Sequence, residues 1–534
     1  MPASLQDMLM ARLDRLATGK RLYQPAAAIG REFTIELLER VCDLDGAALQ
    51  IALDALVDAG LLVSRQTASG ATYTFRHALL QDAAYSSLLR DTRKELHKRI
   101  AGELKQARVD DPALLAHHYE SANAWEQVLN CRLLAAARAE SRGARWEAAE
   151  HYRRAIQALE RLPDTAVHQQ TYLETFLARI RCSWQFATKE ERTEARHQVD
   201  RAIAFADGDI AALAGLQSIK GMEWLDESLL VSAERHASFA DAARQAEVAR
   251  RYASFLGNTG RLEESLGKVE RAAELLKEVG ALEELGSFAA GSGRCYNARA
   301  GRLKRSLQFA GMAREIAAST QDVEVRSWLV MEAEPLLYKG LWQRTVQVVE
   351  QNLSTAWENG RWNVVLWASG WAAIACLKLD RISHARAFLD PVMKTVARRI
   401  DDDFCKIYPH IALSQLHLAE GNAAAGLQAA ERALELAERV TARLEIGAAR
   451  RALGQAYEAR GDRQSADGQF RRSVDVLQTI QSRPELAQSL LAFGRFELAT
   501  DRDKAKELLQ SALELFREIE ADGWVAETQS ALLH

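Results

Sequence analysis

Proline is scarce in this sequence, with 8 prolines among 534 residues. Proline interrupts a helix, whereas alanine, leucine, glutamate and arginine, which are abundant here, favour one. The composition therefore predicts a protein that is helical almost throughout. Because 534 residues are too many for a single core, we expect several domains or one extended array.

Cysteine is also scarce, and the six cysteines lie far apart without a CxxC pair: Cys42, Cys131, Cys182, Cys295, Cys376 and Cys405. This spacing predicts reduced thiols. The sequence also lacks an apolar run long enough to span a membrane, and it lacks the basic region and apolar stretch of a secretory signal. We therefore expect a cytoplasmic protein with no membrane contact.

An excess of one charge is missing as well, since 69 lysines and arginines stand against 73 aspartates and glutamates, giving a net charge of -4. Without a basic excess, the composition does not indicate nucleic-acid binding. The chain also has no nucleophile elbow, no HExxH and no glycine-rich phosphate loop. A hydrolase or transferase hidden in the repeats is the alternative, but the sequence predicts no enzyme, no cofactor and no metal site.

The second half of the chain contains a seven-fold repeat with a nearly constant period of about 40 residues. Short turns are predicted at seven positions: Gly260, Gly301, Gly340, Asp380, Gly421, Gly461 and Thr500. Nine residues after each turn stands a mostly apolar residue: Val269, Ala310, Val349, Leu389, Ala430, Phe470 and Leu509. Twelve residues after each turn stands a mostly small residue: Ala272, Ala313, Asn352, Val392, Ala433, Ser473 and Ala512. A fixed period of this length indicates stacked helix pairs that bury their apolar faces against their neighbours.

These small and apolar positions resemble those of tetratricopeptide repeats, whose usual period is about 34 residues. The longer period here predicts longer helices or loops. An earlier unit fits the same template at four positions: Gly143, Ala148, Tyr152 and Ala155. We predict a mainly all-α fold in which residues 126–534, degenerate at 165–245, form a tetratricopeptide-like right-handed superhelix of antiparallel helix pairs. Its concave groove is expected to bind a protein, a peptide or an inducer.

The first hundred residues follow a different pattern. A lead-in helix is expected over residues 1–18, and three short helices follow it at about 20–29, 34–42 and 46–58. Two strands, Leu61–Ser64 and Thr72–Phe75, then flank a turn-rich tip. Three helices followed by one β-hairpin is the layout of a winged helix. We assign this domain to residues 19–78 and predict linking helices over residues 79–125.

A winged helix raises the question of DNA binding, which depends on its third helix, residues 46–58. That helix carries Asp54 and Asp58 and has neither lysine nor arginine. Phosphate contacts supply most of the non-specific affinity for DNA and require cations, so the sequence predicts a packing or regulatory domain. A DNA-binding transcription regulator that uses this winged helix is the alternative.

Three segments resemble the STAND-type signalling ATPases, above all the bacterial predicted ATPases fused to class III adenylate or guanylate cyclases or to transcription regulators: Pro2–Leu16, Ala28–Phe33 and Tyr73–Tyr85. The resemblance covers about residues 1–120, and the later repeats match only in type. The family order is an output domain, a P-loop ATPase, a winged helix and helical repeats. The resemblance implies a regulatory module in signal transduction, whose winged helix relays partner binding to an ATPase or cyclase module in cis or in trans.

The ATPase module itself is expected to be absent from this chain. The chain starts where that module should already have ended, and it has no GxxxxGK[ST] loop. The nearest segments, Gly19-Lys20 and Gly267-Lys268, lack the preceding glycine at the right spacing and the serine or threonine that would hold Mg²⁺. No cyclase domain is recognisable either.

The resemblance also implies a nucleotide-sensing role for Arg76 and His77. In related STAND proteins, a winged-helix histidine at the start of the following helix approaches the phosphate of the bound nucleotide. Arg76 and His77 stand at the matching place, directly after the second strand. Histidine suits this role because it can donate a hydrogen bond to phosphate and change its charge near neutrality. The alternative is a helix-start histidine that bonds only locally.

Five of the 11 tryptophans crowd into 30 residues and are the candidates for contact with a partner: Trp342, Trp357, Trp362, Trp367 and Trp371. Large aromatic residues are frequent anchors of interfaces, and Trp367 and Trp371 share one helix face. The alternative is wedge packing between neighbouring repeats. The neighbouring His117 and His118 are expected to be structural, because adjacent residues of a helix point in different directions.

Overall fold

The computed structural model describes residues 19–42, 44, 46–67, 70–142, 144–183, 189–206, 208–397 and 402–533. The predicted lead-in helix over residues 1–18 and the predicted turn residue Gly143 lie outside these ranges. The described chain falls into two compact units, unit 1 up to Ser183 and unit 2 beyond it. Within the described ranges the protein is mainly α-helical with one three-stranded sheet, so the predicted fold class is confirmed at this level.

Unit 1 begins with the block that the sequence assigns to a winged helix. Its elements are α1 (Gly19–Ile29), β1 (Glu32–Thr34), α2 (Ile35–Val41), α3 (Gly46–Asp58), β2 (Leu62–Thr67) and β3 (Gly70–Phe75). The remaining helices of unit 1 are α4 (Ala78–Ser86), α5 (Arg90–Gln106), α6 (Pro112–Ser121), α7 (Trp125–Ser141), α8 (Arg145–Leu159) and α9 (Ala166–Ser183). The three predicted helices and both predicted strands of the block are present, with bounds shifted by a few residues.

The sheet of unit 1 contains one strand that the sequence analysis missed. Its order is β1-β3-β2, and both pairings are antiparallel. Phe33 of β1 pairs with Tyr73 of β3, and their stacked rings lie 6.0 Å apart. A strand of three residues is too short to show an alternating pattern, so β1 is fixed by its pairing with β3 and not by local sequence.

Unit 2 opens with α10 (Lys189–Phe205), α11 (Ile210–Trp224) and α12 (Glu227–Ala237), and seven helix pairs follow. Pair 1 is α13 (Ala242–Asn258) with α14 (Leu262–Glu278), and pair 4 is α21 (Trp362–Lys378) with α22 (Ile382–Pro391), which continues into a π-turn (Val392–Val396). In pair 2 the first helix is interrupted: α15 (Leu282–Phe288), a π-turn (Ala289–Gly293) and α16 (Arg294–Arg299) pack with α17 (Leu303–Thr320). In pair 3 the first helix is also interrupted: α18 (Val323–Trp328), a 3₁₀ turn (Leu329–Glu332) and α19 (Ala333–Tyr338) pack with α20 (Trp342–Glu358). Pairs 5 to 7 and the last helix are α23 (Asp403–Ala419) with α24 (Ala423–Arg439); α25 (Arg443–Ala459) with α26 (Arg463–Thr479); α27 (Arg483–Glu497) with α28 (Arg502–Glu518); and α29 (Asp522–Leu533).

Each of the seven predicted turns joins the two helices of one pair. Six of them have a positive φ: Gly260, Gly301, Gly340, Asp380, Gly421 and Gly461. At the first turn, the amide of Arg261 donates to the carbonyl of Leu256 over 2.8 Å, which closes the helix end as a left-handed cap does. A second series of left-handed residues connects successive pairs, and four of its six members are not glycine: Gly280, Gln321, Gly360, Thr441, Gln481 and Glu520.

The repeat positions read from the sequence are core positions. All seven residues nine places after the turns are buried, and so are six of the seven residues twelve places after them. A third buried set stands five places after the turns: Ser265, Ser306, Thr345, Ala385, Gly426, Ala466 and Ala505. In pair 1 the Ser265 hydroxyl donates to the carbonyl of Ala253 over 2.7 Å. These small residues let the backbones of the two paired helices approach closely.

The small variation of the period has a structural cause in the middle of unit 2. The two longest intervals between turns, from Gly260 to Gly301 and from Asp380 to Gly421, each contain a π-turn. The interval from Gly301 to Gly340 is one of the two shortest, and it contains a 3₁₀ turn. A π-turn absorbs an extra residue and a 3₁₀ turn uses fewer, so the helices keep their packing despite the change in length.

Early and late pairs of unit 2 touch each other through three glycine turns, and we call these the closing contacts. A Cβ atom on Gly260 would lie 2.5 Å from Ile480 Cγ2, one on Gly301 would lie 3.2 Å from Arg483 Cβ, and one on Gly340 would lie 2.7 Å from Gly523 Cα. The contacts join residues that are distant in sequence. Near the second turn, for example, the Ser482 hydroxyl donates to the carbonyl of Arg299 over 2.8 Å. No heavy atom lies within 4 Å of the corresponding positions on Gly421 and Gly461.

The closing contacts change the expectation for the inner side of the array. The sequence predicts a long concave groove, and here the first helices of early and late pairs meet. Tyr338 of pair 3 lies 3.0 Å from Glu485 of pair 7, and Trp524 of α29 donates to the carbonyl of Leu337 over 3.0 Å. The protein's own side chains therefore fill the inner side of the array where pair 3 meets pair 7 and α29.

Candidate functional site

Beside the closing contacts, the first helices of pairs 2 to 7 bring together a set of buried side chains, here called the inner cluster: Arg294, Arg299, Glu334, Tyr338, Trp371, Tyr408, Glu445, Arg451 and Glu485. None of them exposes more than 6% of its surface. The set contains three arginines and three glutamates. Burial of so many charges is costly unless each is paired, so the geometry of the pairs determines what the cluster can do.

One half of the inner cluster is built on two arginines of α16. Arg294 donates from Nη1 to Glu334 Oε2 and from Nε to the carbonyl of Ala290 over 2.9 Å. Arg299 places Nη2 at 2.9 Å from Glu445 Oε1 and Nε at 3.6 Å from Glu334 Oε1. Since α16 follows the π-turn directly, the π-turn sets the register of both arginines. These ion pairs link pair 2 to pairs 3 and 6.

The other half of the inner cluster converges on Glu485. Its Oε1 accepts hydrogen bonds from Tyr408 over 2.9 Å and from Tyr338 over 3.0 Å. Its Oε2 accepts one from Arg451 over 2.6 Å, and Arg451 also donates to Ser489 over 3.1 Å. The carboxylate therefore has three donors from three other helix pairs.

Burial keeps the two tyrosines of the inner cluster protonated. Burial raises the pKa of Tyr338 and Tyr408 well above the ordinary value, and the Glu485 carboxylate adds to the effect. Both hydroxyls therefore stay protonated and donate. Burial also raises the pKa of Glu445, although Arg299 opposes this, and it raises the pKa of the Cys295 thiol to about 11.

Five polar atoms of the inner cluster make no hydrogen bond within the described part of the chain: Arg294 Nη2, Arg299 Nε, Trp371 Nε1, Glu334 Oε1 and Glu445 Oε1. The two oxygens lie 3.6 Å and 2.9 Å from Arg299 nitrogens, so ion pairing compensates them. Arg294 Nη2 and Trp371 Nε1 make no hydrogen bond. A buried unpaired donor costs about 1–3 kcal/mol, which makes these groups candidates for ligand contact.

The five predicted partner-contact tryptophans do not form one patch. Trp357 packs on Trp362, with ring centroids 5.5 Å apart, and Trp342 packs on Trp524 at 5.7 Å. Trp367 and Trp371 lie on the same helix, α21, as predicted. Trp367 contacts Phe404 at 5.9 Å, whereas Trp371 contacts Tyr408 at 6.1 Å and belongs to the inner cluster.

Arg76 and His77 lie together between β3 and α4, and both are exposed. The amide of Arg76 donates to the carbonyl of Leu61 over 3.0 Å, which fixes the backbone at this point. His77 precedes α4 as its N-cap residue, but its side chain makes no capping hydrogen bond. The ring is thus free of the local cap bond that the alternative reading required.

A histidine cluster in unit 1 joins three helices. Nδ1 of His97 in α5 lies 2.9 Å from Nδ1 of His118 in α6, and His97 Nε2 lies 2.9 Å from the Tyr85 hydroxyl of α4. His97 and His118 are each 1% exposed, whereas the adjacent His117 is exposed. His117 and His118 therefore face different surroundings, as their adjacency on a helix predicts.

The histidine cluster predicts acid sensitivity of unit 1. Burial, aided by neighbouring positive charge, lowers the pKa of His97 to about 4 and of His118 to about 3, from an ordinary 6.5. Since the unfolded chain takes up these protons first, their contribution is complete above pH 6.5 and is lost as the pH falls from there toward 4 and 3. Hydrogen exchange of α5 and α6, corrected for intrinsic rates, should show weaker protection at pH 5 than at pH 7.

His118→Gln should reduce this pH dependence, whereas His77→Gln, a change at an exposed histidine of unit 1 outside the cluster, should preserve it. Equal protection of α5 and α6 at both pH values in the unaltered chain would contradict the assignment.

Further properties of the described residues bear on function. None of the six cysteines, all of which lie in the described ranges, forms a disulfide bond. In the ranges that the structure describes, no group of three or more histidine, cysteine, aspartate or glutamate side chains could hold a metal ion. No helix in these ranges is both long and apolar enough to cross a membrane.

Comparison with known proteins gives limited matches. No family model matches the chain. An uncharacterized protein of Rhizobium meliloti (strain 1021) is 30% identical over 159 residues, which are 29% of this chain and only 16% of that relative. Among solved structures, a Rap protein complexed with Competence and Sporulation Factor has a TM-score of 0.47 at 13% identity, covering 69% of this chain and 97% of its own.

A STAND protein with a tetratricopeptide repeat sensor from Pyrococcus horikoshii has a TM-score of 0.23 at 12% identity, covering 95% of this chain and 59% of its own. The hetero-tetramer of Cut9 and Hcn1 gives 0.32 at 14% identity, covering 83% and 97%. TM-scores of this size assign no function, so the functional argument rests on the residues of this chain.

Proposed function

We propose that this chain is a non-catalytic regulatory and interaction module of signal transduction. In this proposal, residues 126–534 form a tetratricopeptide-like right-handed superhelix whose inner side binds a protein or peptide partner or an inducer. The observation that carries the proposal is the inner cluster, where helix pairs distant in sequence meet and buried N–H groups of pairs 2 and 4 make no hydrogen bond. A partner bound there touches early and late pairs at once, so its binding can change how they are held together.

The relay part of the proposal concerns unit 1. We assign residues 19–78 to a winged helix and residues 79–125 to linking helices that pass partner binding to a STAND-type ATPase or cyclase module, in cis or in trans, in the cytoplasm. The order of helices and strands and the sheet order β1-β3-β2 support the winged helix. The exposed Arg76 and His77 support a contact with the phosphate of a nucleotide bound to that module.

Capture from source cells tests the relay. The tagged chain, cross-linked in cells and purified in the presence of ATP or of ADP, is expected to bring down a protein that carries a P-loop. The yield should differ between the two nucleotides. His77→Ala should remove this difference without changing the helical circular dichroism, because it removes the phosphate contact alone. Equal capture of the same P-loop protein in both nucleotides by the unaltered chain would refute the sensing role.

The alternative function, DNA binding through α3, is disfavoured by the exposed face of that helix. Ile51 is 71% exposed at its centre, and the side chain of Gln50 donates to Asp54 over 2.9 Å. Asp58 is exposed at the C-terminal end. The face thus offers carboxylates and an apolar side chain to a phosphate backbone that requires cations.

Electrophoretic mobility shift at low salt tests the alternative, and the unaltered chain is expected to leave duplex DNA unshifted. The double variant Asp54→Lys, Asp58→Lys reverses the charge of the same face and should gain salt-sensitive, sequence-independent binding. A shift by the unaltered chain that is lost on Ile51→Asp would instead favour the DNA-binding regulator.

A further inference from the structure

Two of the closing contacts share one arrangement. In each, the glycine turn of an early pair meets the end of a late pair at which the first helix begins and the second helix ends. Gly260 of pair 1 meets Ile480, the residue after the second helix of pair 6. Gly301 of pair 2 meets Ile519, the residue after the second helix of pair 7, and Arg483, the first residue of the first helix of that pair.

These contacts need an apolar residue on one side and a turn without a side chain on the other. A Cβ atom on Gly260 would lie 2.5 Å from Ile480 Cγ2, and one on Gly301 would lie 2.8 Å from Ile519 Cγ2. Both isoleucines are buried. Because a side chain at either turn would collide with the isoleucine, glycine allows the turn to cover it.

The early pairs have apolar residues at the same positions. Val279 follows the second helix of pair 1 as Ile480 follows that of pair 6. Leu282 and Val323 begin the first helices of pairs 2 and 3 as Arg483 begins that of pair 7. We call Val279, Leu282 and Val323 the early ends, and they are 41%, 51% and 47% exposed. The early ends thus offer the apolar surface of a closing contact, whereas Ile480 is 4% exposed.

The late pairs present the matching turns. Gly421 of pair 5 and Gly461 of pair 6, here called the late turns, have the same left-handed conformation as Gly260. Within the described part of the chain, no heavy atom lies within 4 Å of a Cβ atom placed on either glycine. The late turns therefore have the backbone conformation of the turns in the closing contacts, with open space where those turns meet a late pair.

One late turn also carries the cation that takes part in the third closing contact. There, Lys339 precedes Gly340, and its ammonium group donates to the carbonyl of Glu520 over 2.7 Å. Arg460 precedes Gly461 in the same way, and it is exposed. A guanidinium group at this place can donate to a carbonyl of a facing helix end, as the ammonium group of Lys339 does.

The early ends carry the opposite charge. Glu283 and Glu284 follow Leu282 directly, and both are exposed. Opposite charges on two surfaces steer their encounter and disfavour wrong orientations. The cation of Arg460 on a late turn and these carboxylates at the early ends therefore complement each other.

We propose that a second copy of this chain packs its late turns on the early ends, in the arrangement of the closing contacts. Burial of the three exposed apolar side chains of the early ends drives the association. The two surfaces differ, so the interface is heterologous, and each added copy leaves one surface of each kind open for the next. The chain therefore assembles head to tail.

Sedimentation velocity of the full chain at a series of concentrations tests the assembly, and species larger than one chain are expected to grow with concentration. The turn variant, Gly421→Asn with Gly461→Asn, adds side chains where a closing contact has none, and asparagine tolerates the left-handed conformation. The turn variant should weaken association about tenfold or more, because the added atoms overpack the contact.

The end variant, Leu282→Asp with Val323→Asp, should weaken association to a similar extent, because it places charges where apolar side chains are buried. Both positions begin a helix, where aspartate is tolerated well. The control, Val167→Asp with Val231→Asp, makes the same change of charge at two exposed valines outside both surfaces and should leave association unchanged. Circular dichroism and thermal unfolding of all variants should match those of the unaltered chain.

A mixture of the two variants identifies the interface. The turn variant keeps its early ends and the end variant keeps its late turns, so together they can form one junction. We expect a one-to-one dimer in the mixture and no larger species, whereas each variant alone stays a single chain. A single-chain species at every concentration of the unaltered chain would overturn the proposal. Association that persists in either variant alone, or a mixture without the dimer, would place the interface elsewhere and overturn it too.

Discussion

Glu485→Ala is expected to lower the free energy of unfolding of unit 2 by about 3–5 kcal/mol, which is the usual cost of leaving a buried charge without its partner. Arg451 is 6% exposed and would lose its carboxylate. The hydroxyls of Tyr338 and Tyr408 would lose their acceptor at the same time. Urea denaturation followed by circular dichroism measures the change.

A double-mutant cycle with Arg451→Met separates the pair from its surroundings. If the loss comes from the stranded cation, the double variant Glu485→Ala, Arg451→Met should be more stable than Glu485→Ala alone. Glu435→Ala is the matched control, because Glu435 pairs with Arg432 and Arg439 in water and should leave stability within experimental scatter. A loss for Glu485→Ala no greater than that for Glu435→Ala would show that the inner cluster does not hold the pairs together.

Gly523→Ala is expected to destabilise the attachment of α29 by about 1–3 kcal/mol, the usual cost of overpacking a close contact. A Cβ atom on Gly523 would lie 2.8 Å from the carbonyl carbon of Gly340 and 2.9 Å from its Cα. Both atoms are backbone atoms that cannot rotate away, so α29 must move. Hydrogen exchange should then increase in α29 and at the amides around Gly340, and the thermal transition should fall.

The control for this prediction is Gly468→Ala in α26. No heavy atom lies within 4 Å of the position where its Cβ would stand. Alanine is favoured over glycine inside a helix by about 0.5–1 kcal/mol, so this change should be neutral or stabilising. If Gly523→Ala were as stable as Gly468→Ala, the contact between Gly340 and Gly523 would not be a close one.

The helix pairs of unit 2 could be predicted because their turn residues and core residues recur at a fixed period. Glycine at Gly260 or Gly421 marks a left-handed turn, and a small or apolar residue recurs at a set distance after it. The turns between successive pairs could not be predicted as readily, because four of them adopt the left-handed conformation without being glycine: Gln321, Thr441, Gln481 and Glu520. Their conformation is imposed by the helices that they join.

The inner cluster could not be predicted for a different reason. Its ion pairs join residues such as Arg299 and Glu445 that have no relation in local sequence, and they meet only because the array closes. The available signal was a charged residue inside a first helix whose neighbours are mostly apolar, as at Arg294 and Glu334. That signal does not identify the partner, since only the closing contacts decide which helices face each other.

The tryptophans show that a correct local prediction does not by itself identify the site. Trp367 and Trp371 share a helix face as predicted, but the next layer of packing separates their roles. Trp367 packs on Phe404, and Trp371 reaches Tyr408 and Arg294. The composition indicated an aromatic region. The placement of pairs 2 and 5 around α21 determines which indole N–H lacks an acceptor, and the composition does not show that placement.

Closure of the array between early and late pairs is the central claim, and a designed disulfide tests it most directly. A Cβ atom on Gly301 would lie 3.2 Å from Arg483 Cβ, close to the separation of about 3.5–4.5 Å across a disulfide. The double variant Gly301→Cys, Arg483→Cys should form an intramolecular bond on mild oxidation, identified by peptide mass mapping. Gly421→Cys, Arg483→Cys is the control, because Gly421 has the same left-handed conformation and no atom within 4 Å of the added Cβ. A cross-link in the first variant alone is the predicted result, and a folded first variant that forms no cross-link would contradict closure.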